Sequence, residues 1–349
     1  MDLLFDILST TLTQLQKPTL AFLLGGMMLA ALGSKLEIPD AVYKFIVIVL
    51  LLKIGKSAGI SIRAADVLSV VLPALAGSII GIIIVFLGTQ TLMRFRGVAP
   101  LDGMATVGLF GAVSASTLAA AIALLDDGRY DYEGYIGAVY PFMDIAALVT
   151  AIVVARIRLM RRATDLVDTD TPHARTYSYR RTHGEMVRSI LIDTFRSPAI
   201  SALLLGLALG IFARPESVFE SFYEPLFRGL LSLLMLLMGM EAWARLSEMR
   251  QVAHAYLIYG IAAPFAHGLI GFGAGLAIHH VTGFSAGGAV LLAVMAASSS
   301  DISGPPTMRG ALPEANPAAY IGTSTGIGTP VAILSIPVFI ALADRFIGF

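Results

Sequence analysis

Cysteine is absent from the 349-residue chain, which excludes disulfides, thiolate metal centres and cysteine nucleophiles outright. Charge is scarce as well. Asp, Glu, Lys and Arg make up 14% of the residues against a hydrophobic share of 56%, where soluble domains carry about 25% charged residues. With a mean hydropathy of +0.80, the composition points to a polytopic membrane protein. Net charge is zero, so no overall field draws the chain to nucleic acid or to acidic partners. Neither a G-x-x-x-x-G-K-[ST] phosphate loop nor an H-E-x-x-H zinc motif occurs, which leaves nucleotide-driven pumping and zinc proteolysis without support. Asp2 and Asp6 stand where a signal peptide would be basic, so no cleaved signal is expected. Leu3, Leu4, Ile7, Leu8, Leu12 and Leu15 recur at helical spacing, which fits a short interfacial helix or a frayed terminus.

What the chain has is apolar runs. A membrane span needs about 20 mostly apolar residues. Five spans are expected near 18–33, 41–61, 67–93, 102–125 and 134–157, and five more near 198–212, 223–245, 253–281, 286–307 and 318–346. The polar connector 158–196 divides them, giving domains at 1–157 and 197–349; it reads as a tether or as a cytoplasmic docking surface. Within the spans, Lys53 is expected to snorkel to a surface. Glu241 and Arg245, one helical turn apart, are expected to pair. His267, His279 and His280 have no carboxylate at metal-ligand spacing and read as packed or interfacial side chains.

The two halves resemble each other. Tyr135-Ile136-Gly137 recurs as Tyr320-Ile321-Gly322 at a shift of 185, Gly55 matches Gly239 at 184, and Lys17-Pro18 matches Ser197-Pro198 at 180. An odd number of spans per half forces the second copy to enter from the opposite side, and inverted repeats of this kind build secondary transporters. The segment Arg156 to Arg196 holds nine arginines. Placing it in the cytoplasm puts sixteen of the twenty-four Lys and Arg inside and seven outside, so both termini are expected to be external.

The run Ala297-Ser298-Ser299-Ser300-Asp301-Ile302-Ser303-Gly304-Pro305-Pro306 sets an acid, hydroxyls and two prolines inside the ninth span. An acid there costs about 2.5–3.5 kcal/mol and marks a functional site, while prolines break the helix and free backbone groups. Shifted by 185, Ser299-Ser300-Asp301-Ile302 lands on Ser114-Ala115-Ser116-Thr117 in the fourth span. Paired mid-span breaks point to a transport site at the midplane. Two half-helix N-termini there would suit a small anion, helped by the hydroxyls of Ser114, Ser116, Thr117, Ser299 and Ser300; the alternative is that these hydroxyls only bond back to their helices. Asp301 with Ser298, Ser300 and Ser303 is an oxygen set for a hard cation such as sodium. Asp144, the other mid-span acid, has Thr329 as its counterpart at the same shift; a structural polar pair is its alternative. A neighbouring anion and cation would couple without a nucleotide, which favours symport. A channel or an intramembrane hydrolase using Asp144 with Asp301 are the competing classes.

Phe110-Gly111-Ala112-Val113-Ser114-Ala115-Ser116-Thr117, Tyr140-Pro141-Phe142-Met143-Asp144-Ile145, Met238-Gly239-Met240-Glu241-Ala242-Trp243 and the run 297–307 resemble the cyanobacterial sodium-dependent bicarbonate transporters over nearly the whole chain. The resemblance implies an all-α fold of ten transmembrane helices, arranged as two inverted five-helix repeats with interrupted fourth and ninth helices. It implies a homotrimer in the plasma membrane and an elevator-like motion of a core (spans 3–5 and 8–10) past a gate (spans 1–2 and 6–7). Bicarbonate would be held at Ser114, Ala115, Ser116, Thr117, Ser299 and Ser300, and sodium at Asp301, Ser298, Ser303, Asp144 and Thr329. Na+ is the coupling ion and no other cofactor is implied. A PII-like, adenine-nucleotide-binding regulator would dock on the cytoplasmic face. Two departures stand out: Ala115 replaces an expected Gly, and the connector is shorter than expected. Another small anion or carboxylate is the alternative substrate.

Overall fold

The computed structural model describes residues 16–165, 195–248 and 254–349, with residues 13, 188, 191 and 192. The expected interfacial helix at 3–15, apart from Thr13, lies outside the described residues, as does most of the 158–188 connector. The described residues are helical throughout, with no sheet.

The first half runs α1 (Pro18–Ala31), α2 (Asp40–Ile62), α3 (Val67–Gln90), α4 (Pro100–Gly111), α5 (Ala115–Gly128) and α6 (Tyr140–Asp165), the last entered through a 3-10 stretch, Gly134–Val139. The second runs α7 (Pro198–Phe212), α8 (Glu224–Glu248), α9 (His254–Thr282), α10 (Ala286–Ala297), α11 (Gly304–Ala311), α12 (Pro317–Ile321) and α13 (Thr329–Phe346). A π-helical stretch, Gly322–Gly328, joins α12 to α13. Four of these helices open on a proline, whose missing N–H costs nothing in a first turn and whose φ is already helical. Gly33, just beyond α1, sits at φ +74°, a left-handed stop that glycine adopts without a Cβ clash.

Among the described residues seven helical segments are long and apolar enough to cross a membrane, and Pro18–Ala31, Pro198–Phe212 and Ala286–Ala297 are shorter apolar helices. The protein is therefore a multi-pass membrane protein. Of the three, 198–212 has the bounds the sequence implies, 18–33 ends two residues early at Ala31, and 286–307 is interrupted after Ala297, where Ser298 turns extended. The apolar window of Pro100–Gly128 is wholly enclosed by protein, whereas only 33% of that of Val67–Arg94 is. The broken segment is the centre of the molecule, and α3 lies at its edge.

Two close helix pairs frame this centre: α2 packs along α7, and α1 along α8. Both crossings depend on glycine. A Cβ at Gly55 would run into the Leu203 carbonyl, and one at Gly239 into the Leu23 carbonyl. Close backbone approach through small residues is how helices gain contact where lipid supplies no hydrophobic drive. The two glycines are the pair matched at the shift of 184, so the same packing solution occurs once in each half.

The expectation for Lys53 is corrected. Its side chain is buried, 3.4 Å from Glu224 Oε2 and 4.2 Å above the Phe227 ring, because the start of α8 brings an acid and a π-face to it. Glu241 and Arg245 do pair, at 3.5 Å. His267 is packed in ring contact with Phe110 and Tyr259, and His279 Nδ1 lies 2.7 Å from the Phe284 carbonyl oxygen.

Gly239→Leu should destabilise the protein by about 1–3 kcal/mol, the usual cost of overpacking, read as a lower denaturation midpoint in detergent. Gly25→Ala, where a Cβ would meet nothing within 4 Å, should lose no stability.

Candidate functional site

Each broken helix leaves its backbone groups in a region where water cannot serve them, so they must find partners in the protein. Between α4 and α5 the chain turns extended at Ala112 and Ser114. Ser114 caps α5, its Oγ accepting from Thr117 N at 3.0 Å and from Thr117 Oγ1 at 2.9 Å. Between α10 and α11, Ser298 is extended and its hydroxyl donates to the Met295 carbonyl at 2.7 Å.

The two breaks then satisfy each other. Ser114 N donates to Ser298 Oγ at 3.0 Å, and Ser300 N donates to the Leu109 carbonyl at 2.8 Å. Asp144, fully buried on α6, bridges both: one oxygen accepts from Val113 N at 3.1 Å, and the other accepts from the Ser303 hydroxyl at 3.0 Å. Ser303 also lies 3.0 Å from Ser300 Oγ and 3.3 Å from Tyr140 OH, and Ser300 Oγ accepts from Gly304 N at 2.9 Å.

On the other side, α13 and its π stretch support the second break. The Thr329 hydroxyl donates to the Ser299 carbonyl at 3.1 Å and lies 3.3 Å from Ser299 Oγ. The Ser324 hydroxyl donates to the Ser300 carbonyl at 3.0 Å, while the Ser324 carbonyl accepts from Ser299 Oγ at 3.1 Å. Thr329 thus holds the second break, while Asp144, its counterpart at the shift of 185, bonds both.

Asp301 stands apart from this lattice. One carboxylate oxygen accepts from the Ser116 hydroxyl across the two breaks. The other, Oδ1, is buried and has no hydrogen-bond partner, and the same is true of Thr325 Oγ1. Both residues line a cavity of about 850 Å³ whose wall includes Glu37, Tyr43, Glu241 and Trp243. An acid with an unused oxygen at the edge of an open cavity is an incomplete hard-cation site. Among the described residues no cluster of three or more His, Cys, Asp or Glu could hold a metal.

Every candidate residue therefore lies in one layer, distributed over several bonded groups. Ser303, Ser300 and Asp144 form one; Ser116 and Asp301 a second; Ser299, Thr329 and Ser324 a third; Ser114, Thr117 and Ser298 a fourth. Ala115 occupies the first position of α5. The expected symmetry of the two half-helix N-termini does not hold. Pro305 and Pro306 follow Gly304 in α11, so two of its first N–H groups are missing and the third is taken by Ser300. α5 opens without proline and keeps its first N–H groups, that of Thr117 being taken by the Ser114 hydroxyl. Sequence reasoning missed Tyr140, Ser324 and Thr325. The signal for the last two was present in Gly322-Thr323-Ser324-Thr325-Gly326, a polar run inside an apolar span.

Fold and site together define a polytopic helical membrane protein whose polar centre is carried on two interrupted helices. The pattern of the Na+-dependent bicarbonate transporter superfamily matches residues 18–344, and the chain belongs to that superfamily. No curated protein matches the chain.

Asp144→Leu should cost about 1–3 kcal/mol for each buried donor it strands, and a double-mutant cycle of Asp144→Asn with Ser303→Ala should show coupling of about 0.5–3 kcal/mol. Additive losses in the denaturation midpoint would contradict the bridge.

Proposed function

We propose that the protein carries bicarbonate inward together with sodium, by an elevator-type alternation of a core past a gate. The observation that carries this reading is the unpartnered Asp301 oxygen beside the joined breaks. Sodium would sit on Asp301, completed by hydroxyls and freed carbonyls of the second break. Bicarbonate would lie over the N-terminus of α5, where orphan N–H groups and the helix dipole favour an anion. Each ion then lowers the cost of the other in a low-dielectric cavity. Superfamily membership supports the choice of these two ions.

In this reading the ten apolar helices and broken pairs form two inverted five-span repeats, with α1, α2, α7 and α8 as gate and the remainder as core. The close α1–α8 and α2–α7 crossings support the gate as one body. The mouth of the large cavity is lined by Ala30, Ser34 and Trp243, on the side that the basic connector places in the cytoplasm. Opposite, the seam between α2 and the core holds only about 10 Å³ beside Lys53, Ser57, Tyr132 and Gly137, about one water at most. Arg228 of α8 and Asp127 at the end of α5 pair at 2.7 Å. The conformation is therefore read as inward-facing, with both termini outside the plasma membrane. The homotrimer and the PII-like, nucleotide-binding regulator on the cytoplasmic face belong to the same proposal and rest on the family resemblance alone.

Asp301→Asn should abolish sodium-dependent bicarbonate uptake while the protein still reaches the membrane folded; full uptake at low sodium would sink the assignment. Because the chain has no cysteine, single cysteines report access cleanly. Trp243→Cys should react with an impermeant thiol reagent only from the cytoplasmic side, and Ser57→Cys only from outside and slowly. Fast labelling of Ser57→Cys from the cytoplasm would invert the proposed orientation.

A further inference from the structure

A second cavity, remote from the joined breaks, lies where α3, α4 and α6 end at one face of the membrane. It measures about 460 Å³ and is walled by Met93, Leu101, Met104, Ala155 and Leu159, with Arg158 on its lining. Among the described residues the guanidinium of Arg158 donates only to thioether sulfurs, Met93 Sδ at 3.3 Å and Met104 Sδ at 3.6 Å. Sulfur is a weak acceptor, and arginine carries five N–H donors in a fork shaped for a carboxylate or phosphate. Among the described residues no carboxylate pairs with Arg158.

The surroundings raise the local positive charge. Arg94 and Arg96 stand in the turn beside Met93; Arg94 bonds the neutral Gln90 side chain at 2.5 Å. The acid of this end of α4, Asp102, is engaged elsewhere, its Oδ1 accepting from Asn316 N at 2.8 Å. The site therefore offers an apolar cleft and, on its lining, a cationic fork that pairs with no carboxylate among the described residues. A soluble anion would use the fork and waste the cleft, and a hydrocarbon would do the reverse. An amphiphile with a phosphate head uses both, and net negative charge suits three arginines. Basic pockets between membrane helices recognise lipid headgroups on this principle.

We propose that this cleft is a specific binding site for one anionic phospholipid, its phosphate on Arg158 and an acyl chain along Met93, Leu101 and Met104. The test uses the full chain, delipidated in detergent and titrated with phosphatidylglycerol, phosphatidylcholine or inorganic phosphate. Bound lipid is counted by native mass spectrometry and the denaturation midpoint is followed. Phosphatidylglycerol should saturate one site at least tenfold more tightly than phosphatidylcholine and raise the midpoint, while inorganic phosphate leaves it unchanged. Arg158→Gln should weaken phosphatidylglycerol at least tenfold. Leu101→Trp, which fills the cleft and leaves the charge, should do the same and covers the case of a poorly folding arginine variant. Equal affinity for the two lipids, wild-type affinity in both variants, or an equal midpoint shift with inorganic phosphate would overturn the proposal.

Discussion

A single buried carboxylate holds the centre of this protein together. Asp144 accepts from the backbone of one helix break and from a hydroxyl of the other. Each break exposes amides and carbonyls that, unpaired in a low-dielectric interior, cost several kcal/mol apiece. The chain resolves this by pairing break with break: Ser114 with Ser298, Ser300 with Leu109, and Asp144 across both. A buried acid in such a position is expensive to desolvate and is tolerated because each of its oxygens accepts a hydrogen bond. The two interrupted segments are therefore locked into one rigid unit. Neither break can shift alone without stranding a buried donor.

Rigidity at Asp144 gives meaning to the freedom at Asp301. Two acids sit in the same layer, and only one has spent its acceptors. Asp301 keeps an oxygen free beside a cavity, and Ser116 ties that acid back to the first break. An ion taken by Asp301 would be felt at the N-terminus of α5 through one hydroxyl, which is a short physical route for coupling two substrates. The glycine crossings of α1 with α8 and α2 with α7 pack the other wall by close backbone approach, and the Lys53–Glu224 pair ties α2 to α8.

Much of the centre was legible in the sequence because it violates the composition around it. A charged and hydroxylated run followed by two prolines has no place in an apolar span unless it is used. The shift of 185 leads from that run to Ser114–Thr117 and from Asp144 to Thr329; Asp144 bonds both breaks and Thr329 the second. What was not legible depends on contacts distant in sequence. Which hydroxyl serves which acid follows from backbone angles at Ala112, Ser114 and Ser298. Lys53 is buried because Glu224 and Phe227 come to it from another helix. The π stretch 322–328, which turns the Ser324 carbonyl toward Ser299, has no sequence period to announce it. The shortage of N–H groups at the start of α11 was readable at Pro305-Pro306, since it is a property of proline itself.

The central claim is that the joined breaks couple two ions of opposite charge. It is tested most directly by reconstituting the protein in vesicles and following labelled inorganic carbon with and without an inward sodium gradient. The account predicts accumulation above the external concentration only while the gradient lasts, and collapse when sodium is equalised. Uptake at the same rate and to the same level without sodium would contradict it.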